Sequence, residues 1–436
     1  MMELNIALCG FGTVGKGVYR ILEENGKVIE KKSGIKFNVK YVLVRNIEKH
    51  KREFQNVNFI SNFNKIINDD SVKIVVELIG GDEIAKEIVC ESLKKGKSVV
   101  TANKAILAGF GDEVIKLAEE NNADIFFEAS VAGSIPIIKI LKESLSSNNI
   151  SLIYGILNGT SNFILTKMTE ENRDFKTVLK EAQERGYAEA DPTLDIEGLD
   201  AGHKLSILMS IAFNTIVDYN KIYTEGISNI STEDIKFADE LGYIIKLLAI
   251  AKFKDNLLEG RVHPTLINKD SLLASVKYEN NALYLVGEYA DKQFYFGKGA
   301  GRFPTASVVV SDIIEAGINI KNNCRARRPF YSVFSRNFEN IELLPISEIT
   351  TKYYMRFNAV DKPGVLSKIS GVLGNYNISI EAVIQKGRDL ENRGSVPIVM
   401  ITHEAKEKNV KEALKIIDNL NVVKAPTVLY RIENNL

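Results

Sequence analysis

Along the first third of the chain, apolar residues come in short β-branched runs separated by helical stretches. The runs Ile6–Cys9, Val39–Val44, Ile74–Ile79, Ser98–Thr101 and Ile125–Phe127 are closed by glycine or polar residues. Between them, Ile84–Lys95 and Glu113–Asn121 place apolar residues at helical spacing. Short apolar strands alternating with helices predict a doubly wound α/β domain, a parallel sheet covered on both faces, over residues 1–135.

From residue 136 the pattern changes. Strand-like Leu152–Leu157 leads into predicted helices at Asn162–Met168, Phe175–Arg185 and Leu199–Phe213. Strand-like runs follow at Gly260–Ile267, Ala282–Tyr289 and Gln293–Phe296, so a second α/β domain with its own sheet is expected over 136–303. Pro304 opens a helical stretch, Thr305–Glu315, that returns to complete the first domain over about 304–325. Residues 326–350, a mixed stretch that Arg325 precedes and in which Arg327 and Arg328 fall, read as a linker. Beyond it, Tyr353–Asn358, Gly364–Tyr376, Ile378–Gln385, Pro397–Thr402, Glu407–Asn419 and Thr427–Ile432 follow a β-α-β-β-α-β order, a ferredoxin-like unit over 351–436.

Composition narrows the function class. Lys+Arg and Asp+Glu each total 56, and no basic stripe stands out, which argues for small-molecule chemistry and against nucleic-acid binding. Cys9, Cys90 and Cys324 are far apart, no CxxC occurs and the four histidines are scattered, so there is no zinc-site pattern. A strand begins almost at once, at Leu4–Leu8, leaving no room for a signal peptide, and no apolar run approaches the ~20 residues of a membrane span. The expected setting is the reducing cytoplasm, away from membranes.

Gly10-Phe11-Gly12-Thr13-Val14-Gly15 matches GxGxxG between a strand and a predicted helix, Thr13–Leu22. That context makes it a Rossmann-type dinucleotide fingerprint, in which the helix N-terminus receives the pyrophosphate. The second strand ends at Val44-Arg45-Asn46 instead of an acid for the ribose hydroxyl. Arg45 is either a partner for the 2′-phosphate of NADP or a solvated strand end. Cys9 reads as a small buried strand residue.

Three further strings sit at predicted strand ends, where open α/β sheets bind ligands: Thr101–Ala105, Glu128–Gly133 and Asn158–Thr160. The densest polar cluster is Gly186–Pro192, followed by Asp195, Glu197, Asp200 and Lys204. Asp200 and Lys204 share one helix face, either as an exposed i,i+4 ion pair or as the lining of a cleft. The apolar remainder of that helix (Leu205, Ile207, Leu208, Met209, Ile211, Phe213) favours the cleft.

Together these strings resemble homoserine dehydrogenases, from the fingerprint through TANKA (Thr101–Ala105), EASVAG (Glu128–Gly133), NGT (Asn158–Thr160) and GYAEADPTLDIEGLDAGHKL (Gly186–Leu205) to GKGAGRFPTASVVVSDI (Gly297–Ile313). The resemblance implies NAD(P)H-linked interconversion of L-aspartate 4-semialdehyde and L-homoserine, with NADP favoured over NAD by Arg45. It implies Lys204 as the acid/base residue and Lys104 in support near nicotinamide and substrate. It places Glu189, Asp200, Asn158, Thr160 and Asp195 at the substrate. Gly10, Phe11, Gly12, Thr13, Val14, Gly15, Thr101, Gly186 and Gly301 fall to the dinucleotide. A monovalent cation, sodium by analogy, is implied at Glu128 and the carbonyls of Val131, Gly133 and Ile135. Glu128 equally suits an ordinary acid near the next helix N-terminus. A homodimer or homotetramer joined through the sheet of the second domain is implied as well.

Asp361-Lys362-Pro363-Gly364-Val365-Leu366 and Tyr376-Asn377-Ile378, set in the βαββαβ order, resemble an ACT domain, an amino-acid-sensing module. The resemblance implies an amino-acid effector, threonine as pathway end product, near Asp361, Gly364 and Asn377. The alternative is an ordinary turn in a dimerising sheet. Two other function classes compete. A semialdehyde dehydrogenase working through a thioester needs a cysteine nucleophile that neither Cys90 nor Cys324 is placed to supply. A dinucleotide- and amino-acid-responsive binding protein without catalysis would not need Glu189, Asp200 and Lys204.

Overall fold

The computed structural model describes residues 2–326, 329–331, 333, 337–385 and 395–434. Arg327 and Arg328 of the expected linker lie outside the described residues. The chain packs as two compact units: Met1–Ser151 with His203–Lys221 and Asn280–Ile341, and Leu152–Gly202 with Ile222–Glu279 and Glu342–Leu436. The boundaries differ from those read along the chain. Residues 280–303 join the first unit, and the ferredoxin-like segment is gathered into the second.

In the first unit, strands β1 (Met2–Cys9), β2 (Ile35–Leu43), β3 (Phe59–Ile60), β4 (Val72–Glu77), β5 (Ser98–Thr101) and β6 (Ile125–Phe126) form a parallel sheet in the order β3-β2-β1-β4-β5-β6. Its strands are apolar on both faces because both are covered. Ile6, Leu8, Val18, Val309 and Ile313 share one core, and Ala7, Cys9, Val75 and Ile88 the other. The pairing sets Leu43, Cys9, Glu77 and Thr101 side by side at the carboxyl edge. The returning helix, Arg302–Lys321, is longer at both ends than expected. By length and composition it is apolar enough to cross a membrane, yet Val309 and Ile313 fill the core against helix Thr13–Glu24.

The second unit carries β7 (Ile150–Ile156), β8 (Tyr223–Thr224), β9 (Tyr243–Lys254) and β10 (Leu257–Asn268). β9 is not among the strands that the sequence pattern predicts. Ile245 and Leu247–Ala251 are all buried, so the strand lacks the alternation that marks a half-exposed one. Asp255 and Asn256, both at positive φ, close a tight hairpin onto β10. Hairpin β11 (Asn280–Gly287) and β12 (Asp291–Lys298) belongs to the first unit.

The C-terminal segment forms β13 (Thr350–Ala359), β14 (Ile380–Gln385), β15 (Val396–Thr402), β16 (Ala405–Lys406) and β17 (Val423–Glu433). Helices Val365–Asn375 and Glu407–Ile417 cover it through Ile369, Leu373, Val410 and Ile417. This βαββαβ unit does not close on itself. β17 pairs in parallel with β10, Thr265 opposite Arg431 and Ile267 opposite Glu433, giving a continuous sheet β7-β9-β10-β17-β13-β15-β14.

Candidate active site

At the end of β1 the chain turns at Gly10, whose φ is +104°; a Cβ there would stand 2.5 Å from the Leu78 carbonyl oxygen. Gly15 packs onto the Gly10 carbonyl, while a Cβ on Gly12 would meet nothing within 4 Å. The three glycines thus divide the work of the fingerprint: turn, open approach and close packing. Among the described residues no side chain caps helix Thr13–Glu24, so its first turn presents backbone N–H groups to the adjoining cavity of about 650 Å³.

That cavity is lined by Gly10, Gly12 and Thr13 and ringed by Lys16, Arg45, Lys49 and Arg302. Among the described residues, Arg45 and Lys49 form no ion pair, whereas Lys16 is paired with Glu53 at 2.5 Å. The basic rim and uncapped helix fit the phosphates of a dinucleotide. Phe11 is among the lining residues, and its ring is buried edge-on against Tyr19, Phe54 and Phe59. Val14 is half-buried beside the same core. Gly301, with φ +131°, precedes the helix that brings Arg302 to the cavity. Gly186, at φ +74°, is exposed and belongs to the second unit.

Glu77 was not singled out in the sequence, although an acid closing an apolar strand is its signal. Its carboxylate is fully buried and accepts from the Ile79 and Gly80 amides at 2.7 and 3.2 Å. It also accepts the Thr101 hydroxyl at 2.6 Å. Thr101 Oγ1 in turn accepts from the Asn103 amide at 3.0 Å. Asn103 caps helix Lys104–Glu120 through the Ala105 amide and donates to the Gly81 carbonyl. Thr101 is therefore a buried support, and the network places half-buried Lys104 at the first helical position.

In the second unit β7 runs out at Asn158, whose side-chain oxygen caps helix Gly159–Glu171 through the Ser161 amide at 2.8 Å. With its orientation fixed, the Asn158 amide nitrogen donates to Asp195 at 2.7 Å and to Asp200 at 2.9 Å. Asp195 rides on the short helix Thr193–Ile196, whose Asp195 carbonyl accepts the Ser161 hydroxyl at 2.7 Å. Asp200 is buried in the first turn of helix Leu199–Ala212; Lys204, one turn further along that helix, is half-buried and belongs to the first unit. Thr160 gives its hydroxyl to the Tyr187 carbonyl at 2.8 Å and so holds the loop leading to Glu189, whose side chain is exposed. The structure thus gathers Asn158, Asp195 and Asp200 into one acidic cluster.

Glu128 is buried, and its two carboxylate oxygens accept the Ile138 and Lys139 amides at 2.7 and 2.9 Å at the start of a helix. Burial first, then the nearby Asp312 carboxylate, raises its pKa to about 8. Val131, Gly133 and Ile135 follow on a segment where Ala132 and Gly133 both have positive φ. The Ile135 carbonyl accepts the Ile137 amide. Among the described residues no cluster of three or more His, Cys, Asp or Glu is arranged to hold a metal ion.

In the C-terminal unit Gly364, with φ +87°, opens helix Val365–Asn375 without a side-chain cap, and Asp361 stands exposed just before it. Asn377, with φ +57°, follows the opposite end of that 11-residue helix, about 16 Å away at 1.5 Å per residue. Asp361 and Gly364 are brought together within one chain, and Asn377 is set apart. Burial pushes the Cys9 thiol far up, with Glu77 adding to the effect, and burial also raises Cys90.

Comparison with known families matches three successive segments of the chain. Residues 10–128 match the family model for the NAD-binding domain of homoserine dehydrogenase, 136–314 that for homoserine dehydrogenase, and 353–421 that for the ACT domain. The homoserine dehydrogenase of Neisseria gonorrhoeae is 43% identical over 434 residues, covering 100% of this chain and 99% of its own. That of Bacillus subtilis is 38% identical over 100% and 99% of the two chains. Among solved structures, a homoserine dehydrogenase from Thiobacillus denitrificans superposes with a TM-score of 0.94 at 41% identity, over 100% and 99% of the chains. A hyperthermophilic archaeal homoserine dehydrogenase in complex with NADPH gives 0.62 at 28% identity, over 73% of this chain and 98% of that one.

Proposed function

The chain belongs to the homoserine dehydrogenase family, oxidoreductases acting on a CH–OH group, and from that premise we propose that it reduces L-aspartate 4-semialdehyde to L-homoserine with NADPH. The observation that carries the substrate assignment is the Asn158 amide held between Asp195 and Asp200, one helical turn before Lys204. Two carboxylates oriented by one buried amide suit the ammonium group of an amino-acid substrate. Glu189 and Thr160 complete the binding set.

When bound, the dinucleotide supplies the hydride that reaches the aldehyde carbon. Lys204 stands beside the aldehyde oxygen, stabilises the negative charge that grows there and donates its proton, together about a hundredfold to ten-thousandfold in rate. Lys104 supports it at the head of its helix. The fingerprint glycines and the first turn of helix Thr13–Glu24 receive the pyrophosphate. Arg45 and Lys49, neither in an ion pair among the described residues, support a preference for the 2′-phosphate of NADP over NAD.

The fit of a sodium-like cation rests on the chemistry of the donors, the buried Glu128 carboxylate together with the carbonyls of Val131, Gly133 and Ile135, an all-oxygen set. Threonine is the proposed effector of the C-terminal unit, through Asp361, Gly364 and Asn377. A helix of 11 residues, about 16 Å long at 1.5 Å per residue, lies between Asn377 and the other two within one chain, which suits a site shared by two copies better than one within a single copy. A homodimer or homotetramer is supported by edge strand β12, where Phe296 is exposed. Free Cys9, Cys90 and Cys324 support a reducing cytoplasmic setting.

The deciding assay is NADPH consumption with aspartate 4-semialdehyde, run with and without phosphate. Phosphate-independent turnover yielding homoserine is expected. The same mixtures are run with NADP⁺ in place of NADPH: phosphate-dependent NADPH formation, in which the aldehyde is oxidised, points to the thioester chemistry, and no change in either dinucleotide to a binding protein.

A further inference from the structure

Strand β17 ends in a buried charge cluster that leads back to the acidic cluster of Asn158, Asp195 and Asp200. Arg431 on β17 is 1% exposed and grips Glu407 with two nitrogens, at 2.9 and 2.6 Å, inside the C-terminal unit. Its remaining nitrogen donates to Glu225, just beyond β8, at 3.0 Å. The Tyr223 hydroxyl donates to the same Glu225 oxygen at 2.8 Å, and the guanidinium lies 5.0 Å above the Tyr223 ring. Glu225 is thus held from two sides, with its backbone amide fixed on the Val262 carbonyl at 2.8 Å.

The segment after Glu225 is pressed onto the helix that carries Asp195. A Cβ at Gly226 would fall 2.5 Å from the Ile196 carbonyl oxygen and closer still to the Glu197 carboxylate, so glycine alone fits there. The Ile227 amide donates to the Ile196 carbonyl at 2.8 Å, and the Ser228 hydroxyl to Glu197 at 2.7 Å. One residue before Ile196 is Asp195, bonded to Asn158.

We propose that Arg431 is a positioning residue for Asp195 and Asp200, the carboxylates assigned to the substrate ammonium group. Through Glu225 it fixes Glu225–Ser228, and that segment fixes helix Thr193–Ile196 and with it the Asp195–Asn158–Asp200 cluster. The C-terminal unit thereby tunes binding of the amino-acid substrate and not of the dinucleotide. The inference rests on the substrate assignment proposed above.

Glu225→Gln keeps the shape, leaves the Arg431–Glu407 pair intact and removes the charge that holds the segment. Glu225 is about one-third exposed, so the variant is expected to fold. Its KM for aspartate 4-semialdehyde should rise about fivefold to thirtyfold, with KM for NADPH and kcat within about threefold of the parent. Amide hydrogen exchange over residues 193–198 should quicken by a similar factor. Lys352→Met, which breaks the surface pair with Glu381 in the same C-terminal unit, should change neither quantity. Unchanged exchange over 193–198 in folded Glu225→Gln overturns the proposal whatever the activity; so does quickened exchange with unchanged KM. Should the parent enzyme leave aspartate 4-semialdehyde untouched, the substrate assignment falls, and the exchange rates alone decide whether Arg431 acts on this segment.

Discussion

Thr101 donates its hydroxyl to Glu77 at 2.6 Å across the paired ends of β4 and β5, with both side chains buried. The contact joins two loops at the carboxyl edge. Glu77 holds the Ile79–Gly80 turn that backs Gly10, and Thr101 holds Asn103 and the start of the Lys104 helix. Glu77→Ala leaves two amides and a hydroxyl without their acceptor. A loss of about 2–4 kcal/mol in denaturant unfolding is expected, with weaker NADPH binding by fluorescence titration. Parent-like affinity in this variant would remove Glu77 from any part in shaping the dinucleotide site.

Lys204→Ala should lower kcat at least about a hundredfold while NADPH still binds, since the proton donor is lost and the dinucleotide cavity is not. Single-turnover NADPH oxidation checks this. Near-normal turnover of the folded variant sinks the assignment.

Arg45→Ala should lower kcat/KM with NADPH about tenfold or more and leave NADH nearly unaffected, as expected for one charge-assisted phosphate contact. The ratio of the two kcat/KM values is the measurement, and an unchanged ratio rules the contact out.

Lys246 is buried in the second unit, donating to the Asn162 side chain at 3.1 Å and to the Val276 carbonyl at 2.5 Å. Burial, the largest cause, with help from Lys277, lowers its pKa from 10.5 to about 7. The unfolded chain therefore binds more protons than the folded one between about pH 7 and 10.5, and this residue makes stability rise with pH through that window. Below about pH 7 both states are protonated and its contribution no longer varies. Lys246→Met should flatten the rise by a few kcal/mol. Urea midpoints at pH 7 and 9.5 test this, and a slope equal to the parent's would contradict it.

Glu433, three residues from the end of the chain, is buried against Arg261 and Lys252, at 2.5 and 2.8 Å, and accepts the Tyr154 hydroxyl at 2.6 Å. Those cations hold its carboxyl below the usual range despite burial. Glu433→Ala leaves Arg261 without this partner and should cost about 3–5 kcal/mol in denaturant unfolding. A loss under about 1 kcal/mol would show that solvent reaches the site. Threonine response is accordingly better tested with Asp361→Ala and Asn377→Ala in the full chain. Removing residues 345–436 would strip β17 from β10.

What local order can encode was legible in the residues. The doubly wound domain and its fingerprint follow from strand-length apolar runs and three glycines within six positions. The βαββαβ order was likewise readable, because each of its elements has its own period. Motif resemblance also named Asn158, Asp195, Asp200 and Lys204. Elsewhere the local signal failed. β9 is buried along most of its length and shows no alternation, and Glu77 looks like any acid closing a strand. Phe11 stands inside the fingerprint, yet its ring turns into the core. The pairing of β10 with β17 joins residues more than 160 positions apart, as Thr265 opposite Arg431 shows. No period or motif records such a partner, because strand pairing is settled by the whole set of surfaces being buried together. Arg431 is an ordinary basic residue in the sequence, and its grip on Glu225 exists only once the two strands lie side by side.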